Sequence, residues 1–354
     1  MGQHVDRTEN LHAWRLVAWR LRMFLHTYPF VCASGLPLIP VPPSALSDSV
    51  VDSFPDSRPV VNDAFRTICS VQDMNSRPDK PARRGAYGYR LSGVPAGQEH
   101  LVRAPTHWPK LELEVSVTTK APPPRESVSD DAAVLRPRSG GWVSIDRALG
   151  RARFSLPHRP SDAALIHPHL ASVAAIFAHW HQRETFHAGA FVVAGKVWGV
   201  LGEREAGKSS FLASLAIAGI PVLCDDILVL DDLTALAGPR SIDLRADAAQ
   251  QLAVGEPLGI VGTRERWRLM LDSVPAELPM GGWISLRWDD RTEASPVRGS
   301  DRLRELGAHR GLTLYPPKPD ALIELSALPF MALRRPRRWD SGADVVKRML
   351  DALS

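Results

Sequence analysis

The sequence predicts an α/β protein with a larger α/β domain at residues 185–354 and a smaller mixed α+β region before it. The main observation is a strand, loop, helix, strand order between residues 190 and 224, where apolar β-branched runs alternate with a glycine loop and a helical stretch. A second observation is that short alternating stretches, separated by proline-rich segments, precede residue 160. This pattern is typical of a β-rich region.

The composition is that of a folded globular chain. Apolar residues make up 44% and charged residues 23% of the 354 positions, which is enough to bury a sizeable core. The 43 basic and 39 acidic residues leave a net charge of +4 without long runs of one sign, which argues against nucleic acid as a partner. Three widely spaced cysteines without a C-x-x-C pair indicate a reducing compartment, and we expect a cytoplasmic protein.

No apolar stretch approaches the roughly 20 residues that a membrane-spanning helix requires. The strongest candidate, Leu11 to Phe30, contains Arg15, Arg20 and Arg22. We therefore expect no membrane span. The stretch predicts an amphipathic helix docked on its own domain, with a membrane-surface helix as the alternative.

The chain divides into four predicted regions. A helical segment spans residues 1–33, and a proline-rich linker and irregular region spans 34–84. A small mixed domain, β-rich with a closing helix, spans 85–184, and the α/β domain spans 185–354. In the third region, the pattern predicts strands at Tyr87 to Leu91, Leu111 to Thr118, Gly141 to Ile145 and Ala152 to Leu156, then a helix from Ser161 to Arg183.

The last region begins with a predicted hairpin. Ala190 to Ala194 and Val197 to Leu201 are its strands, with a turn at Gly195-Lys196. A predicted helix from Ser209 to Ala218, capped by Gly219, leads to a strand at Pro221 to Cys224. The remaining predicted elements are strands at Trp283 to Trp288 and Ala321 to Leu325, and a closing amphipathic helix at Gly342 to Leu353.

Residues Gly202 to Ser209 read GEREAGKS, which fits the phosphate-binding pattern G-x-x-x-x-G-K-[ST] between a strand and a helix. The backbone amides of such a loop and the positive end of the following helix attract phosphate. Lys208 would contact the β and γ phosphates of ATP, and the Ser209 hydroxyl would bind Mg²⁺. The predicted nucleotide-binding residues are Gly202, Glu203, Arg204, Glu205, Ala206, Gly207, Lys208, Ser209 and Ser210. The alternative is an ordinary glycine turn before a helix.

Asp225 and Asp226 end the next predicted strand, seventeen residues after Lys208. That spacing allows a helix, a turn and a returning strand, so the two carboxylates should lie beside the loop. One would hold Mg²⁺ while the other accepts a proton from an incoming hydroxyl. The alternative is a plain acidic turn, which is our interpretation of Asp231-Asp232.

Missing motifs narrow the class of nucleotide-binding protein. The sequence has no N-K-x-D guanine motif and no LSGGQ-like segment, which argues against a GTPase and a transporter ATPase. Motor ATPases usually place a glutamate after the strand-end aspartate, whereas here the neighbour is a second aspartate. Transfer to a hydroxyl is therefore favoured over hydrolysis.

At this point the chain resembles the HPr kinase family, through His187-Ala188-Gly189, the loop from Gly202 to Ser210, and the segment from Gly219 to Leu230. The resemblance implies a P-loop kinase domain similar to that of phosphoenolpyruvate carboxykinase and ATP-dependent phosphorylation of a protein serine. It implies that Asp225 is the general base, that Asp226 supports the metal with Ser209, and that His187 orients the base. It also implies a protein or peptide partner with an acceptor serine, such as a biosynthetic precursor peptide.

The sequence departs from that family after the aspartates. Where family members with phosphorylase activity carry E-I-R-G-L-G-I, this chain has Pro239 to Arg245, which argues against phosphorylase activity and against HPr as the substrate. Two alternatives stay open: a nucleotide-binding regulator or scaffold, and a small-molecule kinase. Whether the chain forms a homo-oligomer is also open.

Arginines and histidines supply the remaining candidates. The arginines that would clamp a transferring phosphoryl group are Arg245, Arg264, Arg266 and Arg268, with solvated surface as the alternative. Six histidines lie between His158 and His187. On a helix, His179 and His181 point about 200° apart, so we do not expect them to bind one metal ion together.

Overall fold

The structure of the protein, a computed structural model, describes residues 83–137, 140–261, 264–312, 315, 318–339 and 341–353. The helical segment predicted at 1–33 lies outside the described residues, as does the proline-rich region predicted at 34–84, except for its last two positions. The described residues form an α/β fold with three sheets. Within them, no helix is both long and apolar enough to cross a membrane.

Twenty strands lie within the described residues. They are β1 (Arg84–Ala86), β2 (Tyr89–Ser92), β3 (Val102–Arg103), β4 (Lys110–Val117), β5 (Ser127–Val128), β6 (Ala132–Leu135), β7 (Trp142–Asp146), β8 (Arg151–Leu156), β9 (Glu184–Phe186), β10 (Gly189–Val193), β11 (Lys196–Leu201), β12 (Val222–Cys224), β13 (Leu228–Asp231), β14 (Thr234–Leu236), β15 (Ser241–Arg245), β16 (Glu256–Val261), β17 (Arg264–Met270), β18 (Glu277–Trp288), β19 (Glu293–Pro296) and β20 (Phe330–Arg335).

Six longer helices accompany these strands in the described part of the chain. They are α1 (Leu170–Trp180), α2 (Lys208–Ile217), α3 (Ala246–Leu252), α4 (Gly299–Ala308), α5 (Pro319–Ala327) and α6 (Gly342–Leu353). The helix predicted after the glycine loop and the closing helix are confirmed as α2 and α6. The predicted strands ending at Leu201, Cys224 and Trp288 are confirmed as β11, β12 and β18.

The single helix predicted from Ser161 to Arg183 is wrong. A short helical turn at Asp162–Ala164 and an irregular turn at Leu165–His169 precede α1, and β9 begins at Glu184. The cause is Pro168, which disfavours the helical backbone of the residue before it. His167 accordingly has an extended backbone, with φ −144° and ψ 117°.

Three other predictions need correction. Ala321 to Leu325 is not a strand but part of α5, where Leu322 and Leu325 share a buried face at helical spacing and Pro319 sits in the first turn. The hairpin between β10 and β11 turns at Ala194-Gly195, both with positive φ, rather than at Gly195-Lys196. Tyr87 and Gly88 form a turn between β1 and β2 and are not part of a strand.

The first sheet has the order β3-β1-β2-β4-β8-β7-β6-β5. The alternating stretch in β4 buries Leu111 and Leu113 on one face. On the other face, Glu114 forms ion pairs with Arg151 and Arg153 of β8, both within 3.0 Å. Apolar residues of this sheet and of α1 belong to one continuous core cluster.

The second sheet has the order β12-β10-β11-β18-β14-β13-β9, with β20 beside β18 and β19 beside β20. Strands β11, β18 and β20 are parallel, and β12 runs in the same direction because both it and β11 are antiparallel to β10. The carboxyl ends of these four strands therefore meet at one edge, which is where α/β sheets commonly bind ligands. The third sheet, β15-β17-β16, is antiparallel.

Arg240 connects the end strand of the second sheet to its surroundings. The guanidinium is 2% exposed and donates hydrogen bonds to the main-chain carbonyls of Val222 and Leu223 in β12. It also donates to the carbonyl of Asp272, beyond β17, at 2.9 Å. Strand β12, which leads into Asp225, is thereby held to the chain that enters β15.

Candidate functional site

The glycine loop forms the link between β11 and α2. Gly207 has φ 77°, in the left-handed region, and directly precedes the first residue of α2. The backbone angle favours glycine, and a Cβ at this position would lie 2.5 Å from Nη2 of Arg335 and displace its guanidinium. Glu205 also has a positive φ, 68°. Non-glycine residues in this region cost energy and persist where their surroundings hold them.

Two side chains from the ends of neighbouring strands hold this loop. Nη2 of Arg335, at the end of β20, donates to the carbonyls of Ala206 and Gly207 at 3.0 and 3.1 Å. Nε1 of Trp288, at the end of β18, donates to the carbonyl of Glu205 at 3.1 Å. The guanidinium of Arg335 lies over the Trp288 ring at 4.2 Å, a cation–π contact. The loop carbonyls are therefore held by residues that lie more than 80 positions later in the sequence.

Lys208 is the first residue of α2 and is 9% exposed. Its Nζ donates to the carbonyls of Gly202 and Glu203 at 2.7 and 3.4 Å, so the ammonium group lies against the start of the loop. Burial lowers the pKa of Lys208 to about 8. This value is still above 7, so the ammonium group carries its positive charge at neutral pH.

The other residues of the predicted nucleotide-binding set occupy different environments. The side chains of Glu203 and Arg204 are exposed, and Ala206 is buried. The carboxylate of Glu205 forms an ion pair with Arg245 at 2.7 Å. Ser210 lies in the first turn of α2, where its carbonyl accepts a hydrogen bond from Ser214.

The carboxylate that follows β12 meets the loop. Asp225 is 3% exposed, and Oγ of Ser209 donates to its Oδ1 at 3.2 Å. Asp226 follows in the left-handed region, with φ 66°, which turns the chain away from the strand direction. The structure therefore places Lys208, Ser209 and both aspartates in one small region, as the spacing in the sequence predicts.

Burial raises the pKa of both aspartates toward neutrality. For Asp225 burial raises the pKa to about 6, against the hydrogen bond from Ser209 and the charge of Lys208, which lower it. For Asp226 burial and the charge of Asp243 raise the pKa to about 7, while Arg266 lowers it. Carboxylates with a pKa in this range are suited to accept a proton at neutral pH.

His187 lies next to the acidic pair. Its Nδ1 is 3.1 Å from the main-chain oxygen of Asp226. Burial first, and then the positive charge of Lys208, lower the pKa of His187 to about 3, so the imidazole is neutral. The histidine predicted from the resemblance therefore contacts the backbone of the aspartate turn, and its role there stays a prediction.

Three further residues of the region were not predicted as a group. Nε and Nη2 of Arg268 donate to the two carboxylate oxygens of Asp243 at 2.7 and 2.9 Å, in a buried two-point ion pair between β17 and β15. Arg268 also donates to the carbonyl of His167 at 2.8 Å. Nε2 of His167 lies 3.7 Å from Oδ2 of Asp226 and 3.7 Å from Oδ2 of Asp243. A histidine before a proline and an aspartate in an apolar strand were the signals in the sequence.

The structure separates the arginine candidates. Arg268 binds Asp243, and Arg245 binds Glu205 at the loop. Arg266 is close enough for its charge to lower the pKa of Asp226. The side chain of Arg264 lies outside the described part of the structure. None of the described contacts tests a role in phosphate binding.

His179 and His181 have different partners. The ring of His179 stacks on Tyr315 with centroids 3.7 Å apart. Nδ1 of His181 is 3.0 Å from the hydroxyl of Tyr89. Within the described residues, the one group of at least three potential metal ligands is instead His167, Asp225 and Asp226.

Comparisons with known proteins give limited information about this chain. No family model and no curated protein matches it. Among solved structures, it is similar to the HPr(Ser) kinase/phosphatase from Coxiella burnetii, at 13% identity, over 48% of this chain and 95% of that chain, with a TM-score of 0.25. A similarity of this size carries no argument about fold or activity. Membership of the HPr kinase family therefore stays a prediction from the sequence motifs.

Proposed function

We propose that the protein is an ATP- and Mg²⁺-dependent kinase that transfers the γ-phosphoryl group to a serine hydroxyl of a protein or peptide. The observation that carries this proposal is the contact between Oγ of Ser209 and Oδ1 of Asp225. It joins the phosphate-loop pattern to the acidic strand end, the two parts that phosphoryl transfer needs within one site.

The loop supports binding of a triphosphate. Gly207 precedes the first turn of α2, where free amides and the helix dipole favour an anion. Lys208 adds a positive charge, and its hydrogen bonds to the carbonyls of Gly202 and Glu203 keep that charge at the mouth of the loop. The ammonium group can exchange these carbonyls for phosphate oxygens, which are stronger acceptors.

The residues beside the loop also fit a divalent cation. Oδ2 of Asp225 and Oδ2 of Asp226 are buried and lack a hydrogen-bond partner among the described residues. Such oxygens, together with the Ser209 hydroxyl, are ligands that Mg²⁺ prefers. When bound, Mg²⁺ would neutralise charge on the phosphates of ATP.

The acidic pair is suited to take the proton of the acceptor serine. As the serine oxygen forms a bond to the γ phosphorus and the bond to the β–γ bridging oxygen breaks, the hydroxyl proton passes to a carboxylate. The resemblance implies that Asp225 accepts it. The bond from Ser209 to Asp225 favours the opposite division, in which Asp226 is the acceptor, and the experiment below separates the two.

The experiment follows radiolabel from [γ-³²P]ATP into a pool of serine-containing peptides, with water alone as a parallel reaction. We compare the wild type with Asp225→Asn and Asp226→Asn, and we use Asp232→Asn in the nearby acidic turn as the matched control. Loss of transfer with retained binding of both ATP and Mg²⁺ in one of the two variants identifies the proton acceptor.

The same experiment contradicts the proposal in defined ways. ATP binding without transfer or hydrolysis by the wild type would favour a nucleotide-binding regulator or scaffold. Label that enters a low-mass product would favour a small-molecule kinase. Equal transfer by the wild type and both variants would remove the acidic pair from the mechanism.

A further inference from the structure

A cluster of one imidazole and two carboxylates lies beside the phosphate loop. Its members are His167, Asp225 and Asp226, and one ligand atom from each lies within 4.8 Å of the others. The three residues come from two distant parts of the chain, since the turn before α1 supplies the histidine and the end of β12 supplies the aspartates. The local phosphate-loop motif therefore does not account for this grouping.

The two carboxylates point to a bound cation. Asp225 is 3% exposed, yet its Oδ2 has no hydrogen-bond partner among the described residues, and the same holds for Oδ2 of Asp226. Burying a polar oxygen without a donor costs free energy, and proteins rarely leave such an atom unsatisfied. A cation between the two aspartates would satisfy both oxygens.

A buried arginine holds both the backbone of His167 and a carboxylate beside the imidazole. Arg268 fixes Asp243 through two hydrogen bonds and also binds the main-chain carbonyl of His167. Asp243 in turn lies 3.7 Å from Nε2 of His167. The hydrogen bond to the main-chain carbonyl fixes the position of His167, and Asp243 adds a negative charge near the imidazole nitrogen that faces Asp226.

We propose that His167, Asp225 and Asp226 bind a divalent transition-metal cation such as Mn²⁺ in the absence of nucleotide. An imidazole nitrogen suits transition metals, whereas Mg²⁺ prefers oxygen ligands throughout. Each residue contributes one ligand atom, so each aspartate keeps a second oxygen for other contacts. The side chain of Asp226 is 13% exposed and that of His167 is 1% exposed, so the open side of the cluster lies at Asp226.

This inference goes beyond the proposed function, which assigns Mg²⁺ to the ATP site and names no histidine ligand. It assigns His167 as a ligand and a preference for Mn²⁺ over Mg²⁺. Because the test below contains no nucleotide, its outcome does not depend on phosphoryl transfer. A protein that binds Mn²⁺ as expected but transfers no phosphate would contradict the proposed function alone.

The test measures Mn²⁺ and Mg²⁺ affinity of the full chain without nucleotide, by calorimetry and by electron paramagnetic resonance of Mn²⁺. We expect the wild type to bind Mn²⁺ at least about tenfold more tightly than Mg²⁺. In His167→Gln, Mn²⁺ affinity should fall by roughly 10- to 100-fold, while Mg²⁺ affinity changes by less than about twofold. His181→Gln, which alters a histidine bonded to Tyr89, is the matched control and should retain wild-type Mn²⁺ affinity.

A spectroscopic measurement separates a ligand from a structural residue. Electron spin echo modulation should show nitrogen coupling to bound Mn²⁺ in the wild type and in His181→Gln, but not in His167→Gln. Circular dichroism checks that each variant is folded. The proposal is overturned if wild-type Mn²⁺ shows no nitrogen coupling, or if folded His167→Gln binds Mn²⁺ within about twofold of the wild type.

Discussion

The glycine loop and the acidic cluster touch each other at Ser209 and Asp225, but they are built in different ways. The loop consists of consecutive residues, 202–209, whose spacing alone indicates phosphate binding. The cluster of His167, Asp225 and Asp226, with Asp243 and Arg268 around it, is assembled from four separate segments. The geometry of the loop therefore depends on local sequence, whereas the geometry of the cluster depends on how distant segments of the chain are held together.

The two regions also differ in what their outer contacts stabilise. Arg335 and Trp288 bind loop carbonyls near the surface, next to exposed Glu205. Arg268 and Asp243 form an ion pair that is almost entirely buried, with side chains 8% and 1% exposed. Loss of a contact in the loop should therefore reduce ligand affinity, while loss of the buried pair should destabilise the fold.

The largest expected effect is from Arg268→Met. It leaves the buried carboxylate of Asp243 without its cation, and breaking a buried pair in this way costs about 3–5 kcal/mol. Urea unfolding measures the loss of stability. Arg153→Met, which breaks an exposed pair with Glu114, is the control and should cost less than about 1 kcal/mol.

The double variant Arg268→Met/Asp243→Asn sharpens this test. Removing both charges should recover part of the stability lost in the single variant, because no unpaired charge remains. A double variant as unstable as the sum of its two single variants would contradict a direct interaction between them.

The second-largest effect is expected from a substitution in the loop. Under the proposed function, Lys208→Met removes the positive charge that would contact the phosphates and should reduce phosphoryl transfer by roughly 10²- to 10³-fold, with little change in the free energy of unfolding. Radiolabel transfer and calorimetry with ATP provide the measurements. Lys196→Met, at an exposed position in the β10–β11 hairpin, should behave like the wild type.

A smaller effect should follow from Arg335→Met. The variant loses two hydrogen bonds to the loop carbonyls and the stacking on Trp288, so ATP affinity should fall about tenfold. Arg334→Met, one position earlier on the exposed face of β20, is the matched control. ATP affinity within about twofold of the wild type in Arg335→Met would show that the loop does not need this support.

The smallest expected effect is on the pH dependence of stability. Burial, and then the charge of Arg268, lower the pKa of His100 below its ordinary value of 6.5. The unfolded chain therefore takes up a proton at a higher pH than the folded chain, and stability falls as the pH drops below about 6.5. His100→Gln should make this decline shallower in urea unfolding between pH 7 and 5. His158→Gln, at an exposed site, should leave the decline unchanged.

The sequence predicts the loop well because its information is local. The strand before it, α2 after it and the position of Asp225 all follow from periodicity and spacing over about 30 residues. The contacts of Arg335 and Trp288 with the loop did not follow from the sequence, because more than 80 positions separate them from it.

The acidic cluster, by contrast, could not be predicted from local spacing in the sequence. Apolar spacing alone predicted one helix from Ser161 to Arg183, and only the restriction imposed by Pro168 explains why His167 is extended and faces Asp226. The sequence makes Arg268 a candidate phosphate clamp, but pairing between β15 and β17 brings it to Asp243. The short apolar run at Ala321 to Leu325 fits a strand or a helix equally well, and burial of Leu322 and Leu325 decides for the helix.

The hydrogen bonds of Arg240 have a consequence for how other chains can approach. Strand β12 lies at the end of its sheet, where free carbonyls would invite pairing with a strand from another molecule. The buried guanidinium already binds the carbonyls of Val222 and Leu223, so these two carbonyls are not available to an added strand. If the acceptor is a peptide, as proposed, it cannot extend the sheet through these two carbonyls to reach the aspartates.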